Sequence, residues 1–304
     1  MTTVEERAIT ATARPRYEGA NIRTWIGFKH FMYLAEDAVL EWFRQNGFAP
    51  GSLYHRHGLG LEIVDSSVLL PAVLDVDDSV AAEVRRQTPS RFAVRLRVRR
   101  AGGEEVALRG KLTVALVRER DAPGDRPPPA ELAPLAVSAV DDLAERVEHP
   151  AGTDEEVSAL LAPAFRHSFR ASYVYCHYSD RVQHSAYVRT LEDVVDRFLH
   201  SRGLSVSRML AERGWIPVVS KARVTLTADA HMDEIVHTAF QVRDVLKETT
   251  YDATMDCYVR RGPRLLRVAA ARIQHGYAIS RGEQAGTLAR LDPGVLGALT
   301  GSRS

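Results

Sequence analysis

Apolar residues recur every three or four positions in two stretches, Phe31, Leu34, Ala38 and Trp42, then Tyr187, Leu191, Val194, Val195 and Phe198. That spacing predicts two long helices, each with one buried face. Gly47 and Gly203 stand where each helix would stop in a left-handed residue. After each helix the pattern changes to short runs rich in Val, Leu, Ala and Thr. Strands are expected over 61–74, 80–86, 92–100 and 105–117, and again over 218–227, 235–245, 253–260 and 265–277. Ala101-Gly102-Gly103 and Arg261-Gly262-Pro263 mark a turn before the last strand of each set. An extended segment is expected ahead of each helix, near Tyr17 and over 168–177.

The two patterns are copies of one another. Shifting the chain by 156 residues places Tyr17 on Tyr173, Glu36-Asp37 on Glu192-Asp193 and Val39 on Val195. Gly47 then falls on Gly203, Val68 on Val224, Ala72 on Ala228, Asp77 on Asp233 and Val80 on Val236. The register later slips by five, so that Val98-Arg99-Arg100 meets Val259-Arg260-Arg261. A constant offset over some sixty residues implies an ancient duplication. One long helix followed by four strands suits an antiparallel sheet wrapped around that helix. A single such unit leaves a sheet face and an edge exposed, and pairing two of them covers both.

This reading divides the chain into a flexible N-terminus (1–15), a first unit (16–118), a Pro-rich linker (119–154), a second unit (155–281) and a tail (282–304). Asp125-Arg126-Pro127-Pro128-Pro129 marks the linker, because prolines interrupt both ladders and helices. A short helix is expected near 140–146, and a surface helix or disorder in the tail.

Composition adds mainly exclusions. The chain has 304 residues, 45% hydrophobic and 26% charged, with a formal net charge of +1. Nothing in that balance points to nucleic acid or to a membrane surface. Arg95, Arg97, Arg99 and Arg100 alternate along one strand and read as a solvated sheet face rather than a phosphate track. Two cysteines without a CxxC spacing imply no structural zinc and fit a reduced, cytoplasmic setting. No segment approaches the length of a membrane span. His55, His57 and Gly58 are expected on a loop without metal-ligand partners, and His275 reads as an isolated structural histidine. No cofactor is implied.

Candidate chemistry gathers where Val174-Tyr-Cys-His-Tyr-Ser-Asp180-Arg-Val-Gln-His184 enters the second helix. An acid and a histidine four residues apart there could activate water, while free N–H groups of the first turn polarise a thioester carbonyl. The plainer reading has Asp180 capping the helix and His184 packing in its first turn. At the same offset the first unit carries Thr24 and Phe28, so that pair is absent there, and the polar residues nearby are Asn21, Arg23, Lys29 and His30.

The segment resembles the hotdog thioesterases of the 4-hydroxybenzoyl-CoA thioesterase superfamily, in which a His-x-x-Tyr opens the helix and a Glu follows five residues after the Tyr. His184-Ser-Ala-Tyr187 and Glu192 match that pattern. Asp180-Arg-Val-Gln-His184 also resembles the Asp-x-Asn-x-His of plant acyl-ACP thioesterases, which are tandem hotdogs. Tyr178 and Val182 stand where those motifs carry Asp and Asn.

The resemblance implies an α+β tandem hotdog, two units forming a pseudo-dimer, and an acyl-CoA or acyl-carrier-protein thioesterase of fatty acid or polyketide metabolism. It implies one site at the unit interface, with Asp180, His184 and Glu192 catalytic. Tyr178, Tyr187, Ala186, Asn21, His30 and Phe28 would bind substrate, the N–H groups near Ala186 and Tyr187 forming the oxyanion site. The alternatives are a hotdog dehydratase or cyclase, needing a histidine and an acid from opposite units, or a non-catalytic acyl-binding protein. Further oligomerisation of the pseudo-dimer is left open.

Overall fold

The computed structural model describes residues 8–301. Its first half contains strand β1 (Ala8–Ala13), helices α1 (Phe28–Gln45) and α2 (Pro50–His57), and strands β2 (Leu59–Leu69), β3 (Val80–Arg86), β4 (Arg91–Arg100) and β5 (Gly103–Arg118). After helix α3 (Asp154–Leu160) the same order returns. Strand β6 (Phe165–Arg170) precedes helices α4 (His184–Ser201) and α5 (Val206–Arg213). Strands β7 (Trp215–Leu226), β8 (Ile235–Leu246), β9 (Thr250–Arg261) and β10 (Arg264–Ile279) then lead to helix α6 (Pro293–Thr300).

The strands run in one continuous antiparallel sheet, ordered β1-β3-β4-β5-β2-β7-β10-β9-β8-β6. The second half of that order is the first in reverse, so a pseudo-twofold axis passes between β2 and β7. It passes through the pair Ser67–Arg223, which is 156 residues apart and directly opposed. Irregularities repeat with the same offsets. Val64 and Ser220 are each the extra residue of a β-bulge, as are Ala107 and Val268 in the last strands. Bulges bend a strand at a chosen point, so the curvature around each helix was duplicated along with the sequence.

Each long helix buries its apolar stripe against its own sheet. Phe31, Ala35, Ala38, Val39, Trp42 and Phe43 are buried on α1, and Trp42 meets Phe92 edge-on at 5.0 Å. On α4 Tyr187, Leu191, Val194, Val195 and Phe198 are buried, with Phe198 against Phe240 at 5.1 Å. Burying one such side chain contributes about 1.5–3 kcal/mol. Gly47 and Gly203 follow the helices at φ +86° and +73°, as a left-handed stop requires.

Several segments differ from the sequence-based expectation. Residues 8–13, within the N-terminus expected to be flexible, form β1 and pair with β3, burying Ile9; residues 1–7 lie outside the described range. The segments ahead of the helices are 3-10 turns at Tyr17–Gly19 and Tyr173–Tyr175, with the paired strands earlier at β1 and β6. The third expected element ends at Leu69 rather than 74, because Pro71 cannot continue the ladder. His55 and His57 lie on α2, not on a loop, and Gly58 caps that helix at φ +64°. The Pro-rich segment buries Leu132, Leu135 and Val140, with a 3-10 turn at Val140–Leu143. In the tail, α6 is held by buried Val295 and Leu299. No described helix is long and apolar enough to cross a membrane.

Candidate active site

The duplication creates two equivalent places where a helix N-terminus of one unit meets the long helix of the other, and they have diverged. At the start of α4, Arg181 is 3% exposed and binds both Glu62 of β2 and Glu119 beyond β5. Its Nε lies 3.8 Å from Asp229. His177 Nε2 donates to Glu62 at 2.9 Å, the His184 backbone N–H donates to the other Glu62 oxygen at 2.9 Å, and Ser179 Oγ donates to Glu119 at 2.8 Å. Burial alone would raise the Glu62 pKa; His177 and Arg181 outweigh it and hold it at about 2. Glu36 of α1 faces the same cluster, and burial with the Glu62 charge pushes it up to about 7.

The expected partnership of Asp180 with His184 does not form here. Asp180 is partly exposed, accepts from Arg120 at 2.7 Å and lies 3.6 Å from His231. His184 is buried and shares a hydrogen bond of 2.9 Å with Ser66. Burial lowers its pKa to about 4, so it is neutral near pH 7. Tyr178 stacks on Tyr54 at 5.0 Å. Tyr187 is fully buried core, and the Ala186 N–H bonds back to Gln183. The local spacing does not bring the two side chains together, because they leave the backbone toward different partners.

The equivalent place at the start of α1 is open. Glu62 corresponds to Val218 and Arg181 to Trp25, and both line a cavity of about 1180 Å³. The first unit contributes Asn21, Trp25, Phe28 and the 70–73 segment, the second the α4 face from Thr190 to Leu199 and the start of β7. One end is polar. Glu192 reaches from α4 to the first turn of α1, where the Lys29 N–H and ammonium favour its charged form. Burial is the stronger influence and raises its pKa.

Gly27 precedes α1 in this turn, and a Cβ there would stand 2.2 Å from Asn21 Nδ2 and 3.3 Å from Glu192 Oε1. Only a glycine allows amide, carboxylate and helix end to meet. Among the described residues the Phe28 N–H has no acceptor. A developing negative charge placed there would meet a free donor and the positive end of the helix dipole.

Of the residues expected from sequence, the cavity therefore gathers Glu192, Asn21 and Phe28. Asp180, His184, Tyr178, Tyr187 and Ala186 lie at the other, closed end. His30 belongs to neither; it is buried beneath Gly19, 3.9 Å from Glu18. Sequence reasoning missed Glu62, Arg181 and Glu119. A lone acid in the apolar run Leu59-Gly-Leu-Glu62-Ile-Val was the available signal. Among the described residues no group of His, Cys, Asp and Glu side chains could hold a metal ion.

No family model matches the chain, and no curated protein matches it. Solved structures do. A putative oleoyl thioesterase from Lactobacillus plantarum superposes with a TM-score of 0.61 at 12% identity, covering 90% of this chain and 96% of the other. A 12:0-ACP thioesterase from Umbellularia californica gives 0.57 at 14% identity, covering 89% and 94%. An acyl-ACP thioesterase from Bacteroides thetaiotaomicron VPI-5482 gives 0.55 at 9% identity, covering 88% and 97%. With the duplicated helix-in-sheet units above, these likenesses establish the fold as a double hotdog.

Proposed function

We propose that the protein hydrolyses acyl thioesters of coenzyme A or an acyl carrier protein, at one site in the cavity between the two units. The observation that carries this reading is the meeting of a partly buried carboxylate, Glu192, with the free Phe28 N–H at the start of α1, on the wall of a cavity between the two units. The acyl chain lies along α4, and the thioester carbonyl points at the Phe28 N–H and the Asn21 amide. Glu192 takes a proton from water, and the resulting hydroxide attacks the carbonyl carbon. The oxyanion is held by those donors until the C–S bond breaks and the thiolate leaves to be protonated. Burial suits Glu192 to this role, because a raised pKa makes a stronger base. The likeness in fold to acyl-ACP thioesterases supports the choice of substrate.

A dehydratase would need a histidine and an acid from opposite units. The cavity's histidine, His275, belongs to the second unit; the first unit's acid on the wall, Glu105, is exposed and held by Arg100 at 2.9 Å, and His30 of the first does not line the cavity. The test is free-thiol release from a panel of acyl-CoAs and acyl carrier proteins. Wild type should turn over at least one, and Glu192→Gln should lose about 100-fold or more of kcat. Full activity in Glu192→Gln would remove this assignment, and no release from any substrate by wild type would remove the hydrolase reading.

A further inference from the structure

Away from Glu192, the wall of the cavity holds a group that hydrolysis does not use. His275 of β10 lines the cavity and is 4% exposed. No hydrogen bond reaches its ring, and Nδ1 is wholly buried without a partner. Its ring packs against Tyr251 at 5.2 Å and Tyr277 at 6.2 Å, and the hydroxyls of both tyrosines are also buried and unpartnered. Three buried polar atoms on adjacent strands thus have no hydrogen-bond partner, whereas buried polar groups are almost always hydrogen-bonded. Around them the cavity is lined by Val218, Val219, Ile273 and Ala278. Burial lowers the His275 pKa to about 3, so the imidazole is neutral.

We infer that the acyl group taken by this cavity carries an oxygen substituent on its chain, a hydroxyl above all, and that His275 is the residue that selects it. A neutral imidazole carries its donor on one ring nitrogen and its acceptor on the other; with Nδ1 wholly buried, Nε2 is the nitrogen left to face the cavity, and a hydroxyl, both donor and acceptor, pairs with it in either tautomer. A plain alkyl chain would leave the imidazole unpaired, which is how a site built for a hydroxyl rejects the analogue lacking one. Glu192 reaches the first turn of α1, whereas His275 sits on β10 opposite Val219 of β7, so the selected oxygen is distinct from the thioester carbonyl. This inference rests on the thioesterase reading for the acyl character of the ligand.

The test compares dodecanoic acid with its singly hydroxylated positional isomers by calorimetric titration, in wild type, His275→Phe and His275→Gln, each checked for folding by its melting temperature. Hydrolysis of the matching CoA thioesters is followed in parallel. At least one isomer should bind wild type about tenfold or more tightly than the plain acid. That ratio should fall to near one in His275→Phe and be partly restored in His275→Gln, which again offers a donor and an acceptor. Should His275→Phe fail to fold, His275→Gln and Tyr251→Phe carry the comparison. A wild-type ratio near one for every isomer overturns the inference, as does a ratio unchanged by all three substitutions, or no binding at all. Hydrolysis without preference removes the inference alone. Preference in binding without hydrolysis of any thioester supports it and removes the hydrolase reading instead.

Discussion

Glu62 and Val218 occupy the same position in the two units, 156 residues apart, on the strands flanking the pseudo-twofold axis. Glu62 accepts from the first N–H of α4 and ties Arg181 and His177 into a buried cluster. Val218 has no charge to attract such partners, and space remains where the cluster would be. The exchange of Glu62 for Val218, together with that of Arg181 for Trp25, thus separates a closed helix end from an open one.

Removing one member of the closed cluster should be costly. Arg181→Met leaves Glu62 and Glu119 buried together without their cation and should lower unfolding free energy by about 3–5 kcal/mol. Replacing all three residues by apolar ones of similar size should cost far less. Urea unfolding of the single and triple variants checks this, and equal losses would show that the cluster is not electrostatically coupled.

Glu36 should make the protein less stable as pH rises. Its folded pKa, about 7, lies above the usual carboxylate value, so its contribution is full below about pH 4.5 and is lost as pH rises toward 7. Glu36→Gln should therefore match wild type near pH 4.5 and exceed it at pH 8 by up to about 3 kcal/mol. Glu62 acts in the opposite sense: with a folded pKa of about 2, its contribution is present above pH 4.5 and fades as pH falls toward 2. Denaturant unfolding at pH 4.5 and pH 8 separates the two, and a Glu36→Gln variant weaker at pH 8 would reverse the assignment.

Gly27→Ala should disable the open site while leaving the fold standing. The new Cβ would displace the Asn21 amide, the end of a flexible side chain, so the stability cost should stay near about 1 kcal/mol. The donors around the carbonyl would shift, and kcat should fall about tenfold or more. Thiol release and thermal melting on one preparation give both numbers; wild-type kcat would show that this turn does not hold the carbonyl.

Asp180→Asn should leave thioester turnover within about twofold of wild type, since that carboxylate serves a partly exposed pair with Arg120. His184→Ala should instead cost stability, about 2–3 kcal/mol, from a lost buried ring and an unpaired Ser66 hydroxyl. A large kcat loss in Asp180→Asn, with stability intact, would return the site to the start of α4.

The sequence by itself determined the helices, the strand runs and the duplication. Helical spacing, apolar runs and the glycine stops record burial residue by residue, and that information is local. It read α2 and α5 less well, because eight residues give too few turns for a period to show. It also brought Glu192, Asn21 and Phe28 onto the candidate list, through the repeat and the resemblance. Only the tertiary structure decided which helix end is open. Glu62 meets Arg181 across 119 residues, and Gly27 meets Glu192 across the unit interface. Asp180 and His184, four residues apart, find different partners. Adjacency in the chain sets where backbones lie, while the direction and company of a side chain depend on elements that folding brings from elsewhere.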